Sequence, residues 1–73
     1  MNIKQRVGRR IRVRRVELGM TQGALAAQLP IGPSNLSYIE RGERDVSVSL
    51  LDEIAGALRC KPEYFLREFQ DVA

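Results

Sequence analysis

TQGALAAQLPIGPSNLSYIERG (residues 21–42) reads as two short helices joined by a turn too tight to hold anything but one angle. Thr21 is a good N-cap, because its hydroxyl can accept from the free N–H groups of the next turn, and Leu25, Ala26 and Leu29 then share one face. This helix is expected over about 22–29. Pro30 ends it, since the residue before a proline is disfavoured in the helical region, and Gly32-Pro33 restarts the chain with a permissive N-cap and a preset φ. The second helix is expected over about 33–41. Leu36 and Ile39 point inward, while Ser34, Asn35, Ser37, Tyr38 and Arg41 point outward, and Gly42 supplies a left-handed stop. Ala26 is small enough to let the two helices touch near the corner.

Two helices in this order and spacing are the helix-turn-helix motif. The pattern TQ-x-x-LA-x-x-L followed by S-x-L-S-x-IERG resembles that of phage repressors, Cro proteins and small bacterial regulators (the XRE type). The resemblance extends to Ile11 and Arg15 on one side and to LLDEIAGAL (50–58) on the other, covering roughly residues 7–66. It implies an all-α, compact, five-helix, lambda-repressor-like DNA-binding domain with the helix-turn-helix at helices 2 and 3. Within that family the run E-R-G-x-R-x-V-S (40–47) is similar to restriction-modification controller proteins. In two places the chain departs from the family pattern. Pro30 replaces the glycine that usually lets the turn go left-handed, and Arg59 stands where a glycine commonly ends helix 4.

Seventy-three residues make one domain, which buries only about 60% of its unfolded surface and leaves little room for a catalytic cleft. There is no histidine and one cysteine, Cys60, so neither an intramolecular disulfide nor a zinc site is expected, and no cofactor. No Gly-rich phosphate loop occurs, and an enzyme is not expected. No apolar run approaches a membrane span and no secretory signal is evident, so the expected compartment is the cytoplasm. The net charge of +3 is unevenly spread: residues 1–20 hold Lys4, Arg6, Arg9, Arg10, Arg12, Arg14 and Arg15 against the single acid Glu17. Beside a helix-turn-helix, such a field attracts phosphates.

The first helix is expected over about 3–18, with Ile3, Val7, Ile11 and Leu18 in one stripe and Gly19 as its stop. Arg14 falls inside that stripe and Arg15 on its border, so one of them needs an acid. The resemblance points to an ion pair of Arg15 with Glu40, with Arg14 as the alternative partner. Met20, Ile31 and Val46 each precede an N-cap and can staple onto Leu25, Leu36 and Leu51. Ser47 caps a fourth helix over about 48–59. A last helix over about 62–69 carries Tyr64, Phe65 and Phe69, whose surplus apolar surface makes them candidates for a dimer interface.

If helix 3 enters a major groove, the resemblance assigns base reading to Pro33, Ser34, Asn35, Ser37 and Tyr38. Asn can contact adenine through two bonds, and Tyr offers a hydroxyl or a ring. Gln22, Arg41, Arg44 and Arg10 are the expected phosphate contacts. The function expected is sequence-specific double-stranded DNA binding by a transcriptional regulator, as a homodimer on a palindromic operator, with no small-molecule ligand. The alternative is an antitoxin or protein-interaction module that uses the aromatic C-terminal helix.

Overall fold

In the computed structural model, which describes residues 1–67, five helices and no strand follow one another: α1 (Ile3–Glu17), α2 (Gln22–Ala26), α3 (Pro33–Glu40), α4 (Val48–Ala57) and α5 (Glu63–Leu66). Side chains start three of them. Asn2 and Gln5 form a reciprocal capping box on α1, the Asn2 oxygen accepting from Gln5 N–H at 2.9 Å and the Gln5 oxygen from Asn2 N–H at 3.0 Å. Thr21 accepts from Ala24 N–H and Ser47 from Leu50 N–H, both at 3.0 Å. For α3, Gly32 makes no side-chain cap, and Pro33 stands at the first helical turn.

Helices α1, α3 and α4 share one ending. Gly19, Gly42 and Arg59 each take a left-handed φ, of 70°, 74° and 58°. The next residue's N–H reaches back to a carbonyl of the last turn: Met20 to Arg15, Glu43 to Tyr38 and Cys60 to Ala55, at 3.0, 2.9 and 3.0 Å. Two of the three use glycine. Arg59 adopts the same conformation against the clash of its own Cβ, which ends α4 at Ala57 rather than at 59.

The α2 boundary also falls short of 29. Gln28 and Leu29 donate to Leu25 and Ala26, three residues back, at 3.0 Å each. Pro30 disfavours the α region at Leu29, and the chain tightens into this narrower spiral before the turn. No described residue between α2 and α3 has a positive φ. The expected helix 62–69 is also shorter: Arg67 is extended (ψ 144°) and ends α5 at Leu66. Phe69 lies outside the described residues.

Every helix sends side chains into one core: Val7 and Ile11 from α1, Leu25 and Ala26 from α2, Leu36 and Ile39 from α3, Leu51, Ile54 and Ala55 from α4, and Phe65 from α5. Met20, Ile31 and Val46 pack against it. Phe65 is completely buried, which corrects its assignment to a dimer interface. Enclosing such a ring contributes about 1.5–3 kcal/mol, which favours turning it inward. Tyr64 is half-buried and meets Phe65 edge-on, centroids 5.3 Å apart. Ile3, expected in the buried stripe, is 55% exposed because it stands at the first turn of α1.

Gly8 is where α1 crosses α3. A Cβ on it would come 2.7 Å from the Glu40 carbonyl oxygen and closer still to that of Ile39. Only glycine fits this crossing. Its sequence signal was a lone glycine inside a helical pattern, which by itself says nothing about what passes close by.

Candidate nucleic-acid interface

Leu36 and Ile39 are committed to the core and Glu40 is buried beside them, so the remaining side chains of α3 face out. Pro33, Ser34 and Tyr38 are exposed, and Asn35 and Ser37 are half-exposed. They form one short row. Two arginines from the end of α3 and the loop beyond fold back over it. The Arg41 guanidinium lies 4.9 Å from the centre of the Tyr38 ring and that of Arg44 lies 5.4 Å from it. Arg44 also donates to the Asn35 side-chain oxygen at 2.6 Å, and Arg41 pairs with Glu43 at 2.8 Å in the open. Four of the expected contact residues, Asn35, Tyr38, Arg41 and Arg44, therefore sit together on one surface.

The angle of this row is held from behind. Arg15 donates from Nε to Glu40 Oε2 at 2.7 Å and from Nη2 to Oε1 at 3.0 Å, and its Nη1 donates to the Met20 carbonyl at 2.7 Å. Gln22 donates from Nε2 to Glu40 Oε1 at 3.0 Å. The Glu40 side chain is 1% exposed and that of Arg15 10%, so solvent screens the pair little. One carboxylate thus joins α1, the start of α2 and the last turn of α3. Arg14, the alternative partner, is turned toward α4, where it donates to the carbonyls of Leu58 at 3.0 Å and Arg59 at 3.4 Å. It satisfies a helix C-terminus, and it also lies near the Cys60 thiol and 3.7 Å from the exposed Glu17.

Arg10 does not join Gln22, Arg41 and Arg44. Its Nε donates to the Arg67 carbonyl at 2.9 Å and its guanidinium lies 5.3 Å from the Tyr64 ring centre, so it braces α5. Among the expected phosphate contacts it is the one the fold turns elsewhere, because position 10 sits on the α5 side of α1.

Cys60 is half-buried, and burial pushes its thiol pKa up while the nearby Arg14 pulls it down. The result is a poorly nucleophilic thiol. Among the described residues no group of three or more His, Cys, Asp or Glu is close enough to hold a metal ion, and no helix is long and apolar enough to cross a membrane.

Known proteins resemble this chain in sequence and fold. The Repressor protein C2 of Salmonella phage P22 is 35% identical over 63 residues, covering 86% of this chain and 29% of that protein. Its structure in complex with a synthetic operator is 34% identical, with a TM-score of 0.78, and 84% of this chain and 92% of that one are covered. The clp gene regulator ClgR of Corynebacterium glutamicum has a TM-score of 0.87 at 30% identity, over 90% of this chain and 70% of that one. The restriction-modification controller protein C.AhdI of Aeromonas hydrophila has a TM-score of 0.79 at 31% identity, over 84% and 88%. The chain spans between 29% and 64% of the length of the curated relatives it matches. Residues 11–65 match the HTH_3 helix-turn-helix family, and with that match over most of its length the chain belongs to this family of transcription regulators.

Proposed function

We propose that the chain is a sequence-specific double-stranded DNA-binding transcriptional regulator that places α3 in the major groove of a two-fold symmetric operator as a homodimer. The observation that carries this reading is the row on α3, polar and aromatic on its outer side and held at one angle by Glu40. In this reading Pro33, Ser34, Asn35, Ser37 and Tyr38 read base edges. Arg41, Arg44 and Gln22 hold phosphates; Gln22 has a second amide hydrogen beyond the one given to Glu40. Reading adenine through both its N6 and N7 needs the Asn35 oxygen, so Arg44 releases that oxygen and turns to the backbone when the duplex arrives. The solved complex of the C2 repressor with a synthetic operator supports the same use of this fold.

The homodimer is supported by an apolar groove of about 500 Å³ between the start of α1, the start of α4 and α5. Ile3, Val48 and Leu66 on its walls are 55%, 87% and 47% exposed. Lys4, Asp45 and Asp52 also line it, so a two-fold copy can set opposite charges against each other. A protein partner captured by the aromatic C-terminus loses its main support, since Phe65 is spent in the core. We place the chain in the cytoplasm with the DNA it reads, acting without catalysis, cofactor or small-molecule ligand.

Selection from random duplex DNA, with the protein's mass in solution recorded alongside, tests this. The expected result is a symmetric site with half-sites about 10 bp apart, or a multiple, bound by two chains. Enrichment of no sequence overturns it.

A further inference from the structure

We propose that Arg44 decides which purine Asn35 reads, by holding or releasing its side-chain oxygen; the inference rests on the DNA-binding reading above. The left-handed turn at Gly42 (φ 74°) folds the chain back on α3, and Glu43 N–H closes it on the Tyr38 carbonyl at 2.9 Å. That turn lays Arg44 over the Tyr38 ring, one helical turn along from Asn35, where its Nη1 donates to Asn35 Oδ1 at 2.6 Å. A guanidinium has donors only, so its partner must be the amide oxygen. The contact therefore fixes the orientation of the Asn35 amide, and what that amide offers a base is its N–H donors.

The two purines answer this arrangement differently. In the major groove guanine presents two acceptors, N7 and O6, whereas adenine presents one acceptor, N7, beside the N6 donor. With Arg44 in place, Asn35 is donor-only and matches guanine. Adenine needs the oxygen back, and it is read through two bonds only once Arg44 has left for the backbone. Release costs little. The contact lies in the open and its acceptor is a neutral oxygen. Arg41, a second guanidinium 4.9 Å from the centre of the same ring, repels Arg44, while its own charge is shared with Glu43 at 2.8 Å. Both states are therefore within reach, and they differ by one phosphate contact, made on adenine and absent on guanine.

The test uses the full chain and its selected duplex, with the position Asn35 reads taken as the base pair whose preference Asn35→Ala loses. Two duplexes that carry adenine or guanine there are titrated across a series of salt concentrations. One extra phosphate contact steepens the fall of log K with log[salt] by about 0.9, so the parent's adenine-to-guanine preference is expected to drop about eightfold over a tenfold rise in salt. In Arg44→Ala the two slopes coincide, whereas Arg41→Ala flattens both and keeps their difference. Parallel slopes in the parent, a steeper slope on guanine, or a difference that survives Arg44→Ala overturns the switch and leaves the DNA reading intact. So does an Asn35→Ala variant that keeps every preference of the parent. A parent that selects no duplex overturns both.

Discussion

The backbone of Glu40 runs so close to Gly8 that a single methyl group on Gly8 would lie 2.7 Å from the Glu40 carbonyl oxygen. This approach brings α1 and α3 near enough for Arg15 and Glu40 to bond through two atoms each. Gly8→Ala gains helix propensity of about 1 kcal/mol, but the clash is with rigid backbone, and the net expected loss is about 1–3 kcal/mol. For a domain of this size that lowers the melting temperature by about 4–24 °C.

Gly56 is the matched control. It lies in α4, is exposed, and a Cβ there would meet nothing within 4 Å. Gly56→Ala is therefore expected to stabilise the domain by about 0.5–1 kcal/mol, by reducing the freedom of the unfolded chain. A melting curve that falls for Gly56→Ala would contradict the assignment of that site as open helix surface.

Arg59 holds the left-handed conformation that Gly19 and Gly42 hold without strain. Arg59→Gly is expected to raise stability by up to about 1 kcal/mol, since the strain removed outweighs the extra freedom of an unfolded glycine. The carbonyl that receives Arg14 belongs to the backbone and remains. Denaturant midpoints of parent and variant decide this.

Glu40→Gln leaves the Arg15 guanidinium covered and without a counter-charge. Breaking such a pair costs about 3–5 kcal/mol, a large share of the stability of a small domain. Thermal melting checks it, and a variant that melts within about a degree or two of the parent would show that the pair contributes nothing.

On DNA, substitutions at the row and at its flank should differ in kind. Asn35→Ala and Tyr38→Ala are expected to change which sequence is preferred, each by about 1–3 kcal/mol of discrimination at the base pair it reads. Arg41→Ala should weaken binding to specific and random duplexes alike and flatten the salt dependence. Equal losses on both kinds of DNA for all three variants would remove the distinction between reader and phosphate contact.

The helix starts, the motif and the family were legible in the residues themselves, because caps, prolines and apolar spacing act within four residues of where they stand. Thr21, Gly32-Pro33 and Ser47 begin helices where that chemistry puts them. The resemblance had already paired Arg15 with Glu40; tertiary packing alone decided that Arg14 meets the carbonyls closing α4, that Phe65 fills the core, that Gly8 marks a crossing, and that Arg10 turns to α5. Neighbours on a helix point about 100° apart, so a shift of one position changes the partner entirely. That partner comes from a segment distant in sequence, at a place set by how the helices close on one another.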